Sequence, residues 1–213
     1  MSDRDRRTLM AEAALDIVAD HGARALTHRA VDTRLGLPAG STSYYLRTRR
    51  TLLAAAVHRL AARARADFDG VAGTGSDPEP ADTRNTADMP DADDIDAAAA
   101  RIATFLDHTV GTRRRDTVAR YALVVETSGD GELHPVLARA AFSVPAAVAL
   151  LDALGAPDPE TAGADLVALA EGLVFDRIAG NGAVTPPEPG STASVEAFRR
   201  AVAAQLRGAT ART

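Results

Sequence analysis

Along nearly the whole chain apolar residues recur every three or four positions, and no run alternates apolar with polar residues between turn signals. The pattern predicts an all-α protein. Leu9, Met10, Ala13, Ala14, Ile17 and Val18 fall on one face of a first helix that stops near His21-Gly22, where glycine suits a left-handed C-terminal position. Thr27 is placed to cap a short second helix over His28 to Arg34, interrupted by Leu35-Gly36-Leu37. Pro38, favoured in a first helical turn, opens a third short helix to Leu46. Thr48 caps a fourth, running to about Phe68 with Leu52, Leu53, Ala56, Leu60 and Ala64 inward.

Periodicity then lapses over 70–94, where three glycines, three prolines and seven acids against one arginine predict a mobile acidic linker. It resumes at Ile95, Ala98, Ile102, Leu106 and Val110, and again over Val118 to Val125, a stretch apolar almost all round and expected to be buried on most sides. A helix from Pro135 carries Leu137, Ala140, Ala141, Val144, Val148 and Leu151, with a kink expected at Pro145, which cannot bond the carbonyl of Ala141. That kink is expected to help open a cavity. Asp158-Pro159 opens a long helix to about Gly180, and a last helix presents Val195, Phe198, Val202 and Leu206. These two C-terminal helices carry more apolar surface than one core needs, which predicts a helix-pair interface with a second copy.

Composition narrows the chemistry. All 24 basic residues are arginine and there is no cysteine, which removes lysine-dependent phosphate loops, Schiff bases, thiol nucleophiles and cysteine zinc sites. The charged start from Asp3 to Arg7 lacks the apolar stretch of a secretory signal and no span is long enough to cross a membrane, so a cytoplasmic protein is expected. The five histidines show no close helical pairing, so no metal site is expected, and no glycine-rich phosphate loop or nucleophile elbow supplies a catalytic residue or a cofactor site. The net charge of −5 hides an asymmetry. Residues 1–66 hold twelve arginines against six acids, and residues 67–213 hold twelve against twenty-three. A basic start on an acidic body suits a protein whose first part meets a polyanion.

Helix, glycine turn and short helix is the helix-turn-helix arrangement, whose second short helix enters the major groove of DNA. Here that helix offers Ser41, Thr42, Ser43, Tyr44 and Tyr45 as hydroxyl donors and acceptors for bases or phosphates, followed by Arg47, Arg49 and Arg50 as phosphate partners.

Leu26-Thr27, Val31, Leu35-Gly36-Leu37, Gly40-Ser41, Tyr44, Arg49 and Leu52-Leu53 together resemble the DNA-binding signature of the tetracycline-repressor (TetR) family of bacterial transcription regulators, over about residues 8–55. The resemblance implies a three-helix helix-turn-helix domain over 1–47 and a helical-bundle ligand-binding and dimerisation domain over 48–213. It implies a homodimer, joined through the two C-terminal helices, that binds a palindromic double-stranded operator, usually as a repressor, and is released by a small, largely apolar effector. Carried onto this chain, Thr27 and Arg29 would touch phosphate or the groove edge. Gly40, Ser41 and Thr42 would permit or make base contacts beside Pro38 in the turn, Tyr44 and Tyr45 would hold phosphates with Ser43 nearby, and Arg49 replaces the usual lysine. The chain departs from the family pattern at Ser43, at Tyr45 and at Asp32, where a small apolar residue is expected and a neighbouring arginine is the anticipated partner. Since pockets of such proteins lie between helices, Phe105, His108, Tyr121, Glu126 and Phe142 are the ligand candidates. An all-helical enzyme with an unrecognised site and an architectural DNA-binding protein without effector stay open as alternatives.

Overall fold

The computed structural model describes residues 2–72 and 92–211, and side chains over 2–66 and 93–211. Among the described residues the chain is helical, with no strand. The helices are α1 (Asp3–His21), α2 (His28–Leu35), α3 (Ser41–Tyr45), α4 (Arg49–Ala72), α5 (Ala92–Val110), α6 (Arg114–Glu126), α7 (Leu133–Ala138), α8 (Val144–Ala153), α9 (Pro159–Ala179) and α10 (Thr192–Thr210). Two compact units result, one combining residues 2–72 with 115–141 and the other 92–114 with 142–211. The boundary anticipated after residue 47 falls at the start of α4, inside the first unit. Of the anticipated linker, 70–72 continue α4 and 92–94 begin α5, while 73–91 lie outside the described residues.

In the first unit, α1 begins at a capping box in which Ser2 and Asp5 bond each other's amides, and it ends at Gly22 with φ +78°. Met10, Ala14, Ile17 and Val18 on its inner face join Leu26, Val31, Leu46, Leu52, Ala56, Val57, Leu60, Ala119, Leu123 and Leu137 in one apolar cluster. Leu9, expected inside, is exposed, because the buried stripe runs through Met10 and not through its neighbour. Ion pairs tie the same helices together at the surface. Arg34 of α2 and Arg115 of α6 both reach Asp16 and Asp20 of α1, while Arg59 and Arg63 of α4 converge on Glu12. The α6 segment corrects one expectation: Asp116, Thr117 and Arg120 are buried and Val125 is 75% exposed, so polar residues face the interior and an apolar one faces out.

In the second unit α5 packs along α10 and α8 along α9. α8 and α9 approach closely at Gly163, where a Cβ would stand 2.7 Å from the backbone nitrogen of Val148. Phe198 of α10 is buried under the guanidinium of Arg177, 4.7 Å from its ring centre, and Arg177 also donates to the Ser194 hydroxyl at 2.9 Å. The kinked helix expected from Pro135 is two separate helices. Ser143 accepts from the amide of Ala146 and caps α8, with Pro145 in its first turn, where proline's missing N–H leaves no helical bond unmade. Pro145 therefore starts a helix, and the kink proposed to open a cavity is absent.

Candidate nucleic-acid interface

The helix-turn-helix is built from short-range bonds. Thr27 Oγ1 accepts from the amide of Ala30 at 3.1 Å and starts α2. Gly36, at φ +62°, ends it, and the amide of Leu37 returns to the carbonyl of Asp32 at 2.9 Å. The chain then turns through Pro38 to Gly40, whose φ of +92° strains any side-chain-bearing residue and breaks the helix expected to start at Pro38. Helix begins instead at Ser41 and lasts five residues.

Those five residues divide sharply. Tyr44 is 76% exposed and packs edge-on against Tyr45, with ring centres 5.0 Å apart. Ser41 and Ser43 are half-buried and donate their hydroxyls to the carbonyls of Pro38 and Gly40, which leaves their lone pairs as outward acceptors. Tyr45 is half-buried, and its hydroxyl accepts from the Arg6 guanidinium at 2.8 Å. Thr42, read from the sequence as a base contact, is fully buried, with its hydroxyl 2.6 Å from Asp32 Oδ1. A side chain enclosed by its own protein has no surface to offer a base edge.

Asp32 corrects a further expectation. Among the described residues no arginine holds it; its carboxylate, 4% exposed, accepts from the amides of Gly40 and Thr42 at 2.8 Å each and from the Thr42 hydroxyl. Burial pushes this carboxyl up, but those three bonds, helped by the nearby His28, outweigh it and hold the group below the ordinary carboxylate value. His28 Nε2 donates to the carbonyl of Leu46 just beyond α3.

The arginines around this element fall into two sets. Arg49, expected at a phosphate, donates to the carbonyls of Leu26 and Ala23 and to Glu126 Oε1 at 2.8 Å. Arg50 pairs with Asp130 and Glu132. The carboxyl of Asp130 lies below its usual range, first through the amide of Leu133, then that of Glu132, then Arg50. Arg24, Arg29 and Arg47, by contrast, are exposed and carry no carboxylate partner among the described residues. Exposed positive charge near α3 with no carboxylate partner among the described residues therefore includes Arg29 on α2, Arg47 just after α3 and Arg6 at Tyr45, and not the Arg49-Arg50 pair.

The ligand candidates divide between the two units. Tyr121, beside the Arg120 guanidinium, and Glu126, committed to Arg49, belong to the first unit. Phe105, His108 and Phe142 belong to the second, where the Phe105 and Phe142 rings meet edge-on at 6.0 Å. A cleft of about 280 Å³ between the start of α9 (Asp158, Thr161, Asp165) and the end of α10 (Gln205, Gly208, Ala209) contains none of them. Among the described residues no three histidine, aspartate or glutamate side chains gather to hold a metal ion, and no helix is long and apolar enough to cross a membrane. The groups that sequence reasoning missed are Asp32, noticed as a departure but given the wrong partner, and His28. Their signal was spacing: four residues apart, they share one face of α2.

The family model for the Tetracyclin repressor-like, C-terminal domain matches residues 93–210. No curated protein matches the chain in sequence. Among solved structures, the multidrug binding protein EbrR complexed with ethidium is similar at 26% identity and a TM-score of 0.57, over 92% of this chain and 98% of that one. A transcriptional regulator from Rhodococcus sp. Rha1 shares the fold at 23% identity and a TM-score of 0.64, over 97% and 99% of the two chains. A TetR-family member from Streptomyces coelicolor A3 does so at 24% and 0.60, over 92% and 98%.

Proposed function

The chain belongs to the tetracycline-repressor family, and we propose that it is a homodimeric repressor that binds a palindromic operator and leaves it when a small, largely apolar effector binds. The observation that carries this reading is the exposed face of α3, where Tyr44 stands out between Ser41 and Ser43, with exposed Arg29 on α2 and Arg47 just after α3 carrying no carboxylate partner among the described residues. An uncommitted guanidinium is available to phosphate, and phosphate contacts set register while the groove-facing hydroxyls read bases. In this reading Thr27, Arg29 and Arg47 hold the backbone, Ser41, Ser43 and Tyr44 face the groove, and Pro38 and Gly40 shape the turn between the two helices. We assign DNA binding to 1–47, and effector binding and dimerisation to the remainder.

The outward faces of α9 and α10 support dimerisation. Ala164, Ala168, Gly172, Phe175 and Ala179 are exposed along one side of α9, and Ala204 and Gly208 are exposed on α10. Small residues at this spacing let a second helix pair approach closely, with Phe175 as the apolar anchor. For the effector, the Phe105–Phe142 pair with His108 is the candidate aromatic wall, a chemistry compatible with the ethidium held by EbrR.

The test is retention of genomic DNA. Immobilised protein mixed with sheared genomic fragments at moderate salt is expected to keep a few discrete fragments, and to release them when planar aromatic compounds such as ethidium are screened as ligands. Ethidium also binds DNA, so release is scored against an unrelated DNA-binding protein on the same fragments. Uniform retention of all fragments, or of none, would overturn the reading.

A further inference from the structure

The recognition element is too short to hold itself. Five residues close little more than one turn, and helices of that length are not stable alone. Its N-cap residue is Gly40, which has no side chain to accept from the exposed amides of the first turn. One of them, Thr42 N, and the N-cap amide of Gly40 are satisfied from another helix, while Ser41 N bonds the carbonyl of Pro38. Asp32 accepts from Gly40 N, Thr42 N and Thr42 Oγ1, at 2.8, 2.8 and 2.6 Å. One turn earlier on the same face of α2, His28 Nε2 donates to the carbonyl of Leu46 at the other end of α3. The two ends of α3 are thus bonded to two side chains four residues apart on α2, one an acceptor at the N-terminal end, the other a donor at the C-terminal end.

Each bond has the sign that a helix end requires. Amides at a helix start carry partial positive charge and favour a carboxylate, while carbonyls at its close favour a donor. Burial makes the contacts stringent, because a carboxylate 4% exposed is costly wherever its acceptor sites are unfilled. The arrangement also accounts for Thr42 being enclosed at 0% exposure on a helix whose next residues face out.

We propose that Asp32, Thr42 and His28 form a clamp that sets the orientation of α3, and that sequence discrimination depends on this clamp although none of its three side chains touches DNA. They are positioning residues, and the reading face is left to Ser41, Ser43 and Tyr44. The inference rests on the reading of α3 as the DNA-recognition helix. It makes a departure from the family's small apolar residue at position 32 the basis of a polar mode of holding the helix. A carboxylate with three fixed donors admits fewer orientations of α3 than an apolar contact does, since hydrogen bonds weaken steeply off line.

The experiment uses the full-length protein, the duplex it prefers in a selection from random sequences, and a scrambled duplex of the same length, all at one salt concentration. Thr42→Val keeps the volume and the backbone amide but loses the hydroxyl; Thr42→Ser restores it. Asp32→Asn keeps the size but cannot accept from both amides and the hydroxyl together. Thr42→Val and Asp32→Asn are expected to lower the ratio of specific to scrambled affinity by about tenfold or more, with scrambled affinity nearly unchanged. Thr42→Ser is expected to keep the ratio within about threefold, since its hydroxyl still reaches Asp32. Hydrogen exchange at the amides of Gly40 and Thr42 is expected to quicken in Thr42→Val while amides of α1 and α4 keep their protection. A role confined to stability would instead lower both affinities and all protection together, and that result overturns the clamp. An unchanged ratio in both Thr42→Val and Asp32→Asn overturns it as well. If the wild-type protein prefers no duplex at all, the DNA reading itself fails and the clamp falls with it, an outcome separated from the others by the wild-type lane alone.

Discussion

Arg49 separates a phosphate contact from a structural cation. Its guanidinium donates to the carbonyls of Ala23 and Leu26 and pairs with Glu126, so three of its five N–H donors are occupied within the protein. Bonds from a charged donor contribute about 1.5–3 kcal/mol each when sheltered. Here the side chain is 43% exposed, which places the two carbonyl bonds together near about 1–2 kcal/mol, and the exposed pair with Glu126 adds about 0.2–1 kcal/mol. Arg49→Ala is therefore expected to destabilise the protein by about 2 kcal/mol, or about 4–8 °C in the unfolding midpoint of a chain this size. A lost phosphate contact would act differently. It would reduce the slope of log affinity against log salt by about 0.9 per protomer, or about 1.8 for a homodimer. Fluorescence anisotropy on one duplex over a salt series, beside thermal unfolding of the same samples, measures both. The expected result is a lowered midpoint with an unchanged slope for Arg49→Ala, and an unchanged midpoint with a reduced slope for Arg47→Ala. A reduced slope for Arg49→Ala at an unchanged midpoint would refute the reasoning.

Further outcomes follow from the packing and the charges. Phe198→Ala removes a fully buried ring from beneath Arg177 and is expected to cost about 3–5 kcal/mol in urea unfolding; a loss below about 1 kcal/mol would mean that the α9–α10 contact is not part of the core. Gly172→Arg introduces a side chain where nothing lies within 4 Å of a Cβ, so the protomer is expected to fold while light scattering reports a monomer; a persisting dimer would exclude this face of α9. Asp32 titrates below its ordinary value near 3.8, so its contribution is complete above that value and disappears as pH falls through the lower, folded-state one. Stability attributable to Asp32, taken as wild type minus Asp32→Asn, is thus expected to be constant from pH 7 to about 5 and to shrink below about 4; a loss already complete at pH 5 would contradict the bonding described.

Local rules made most of the fold legible. The caps at Thr27 and Asp158, the positive φ of Gly22 and the left-handed Gly36, and the inner stripes of α1, α4 and α10 are short-range features written in adjacent residues. Misreadings arose where two local signals competed. Pro38 favours a helix start, yet the left-handed Gly40 behind it defers helix to Ser41; Pro145 in an apolar run suggests a kink, yet Ser143 before it makes a cap. The candidate interface was legible as a local fold, a capped helix, a glycine turn and a short helix, and not as the environment of each side chain. Hydroxyls at Ser41, Thr42 and Ser43 look alike in sequence, and burial of Thr42 follows from Asp32 ten residues earlier, a pairing no helical period announces. Arg47 and Arg49 are equally alike until Glu126, seventy-seven residues after Arg49, takes up the second. The ligand candidates depended on tertiary placement throughout, which is why they scatter over two units.

The central claim, that α3 reads a symmetric operator from each half of a dimer, meets its most direct test in selection of bound duplexes from a random library with the purified protein at moderate salt. An enriched palindrome whose half-sites lie about 34–36 Å apart, one helical turn, or a multiple of it, is the predicted result. Enrichment of no sequence, or of a single asymmetric site, would contradict it.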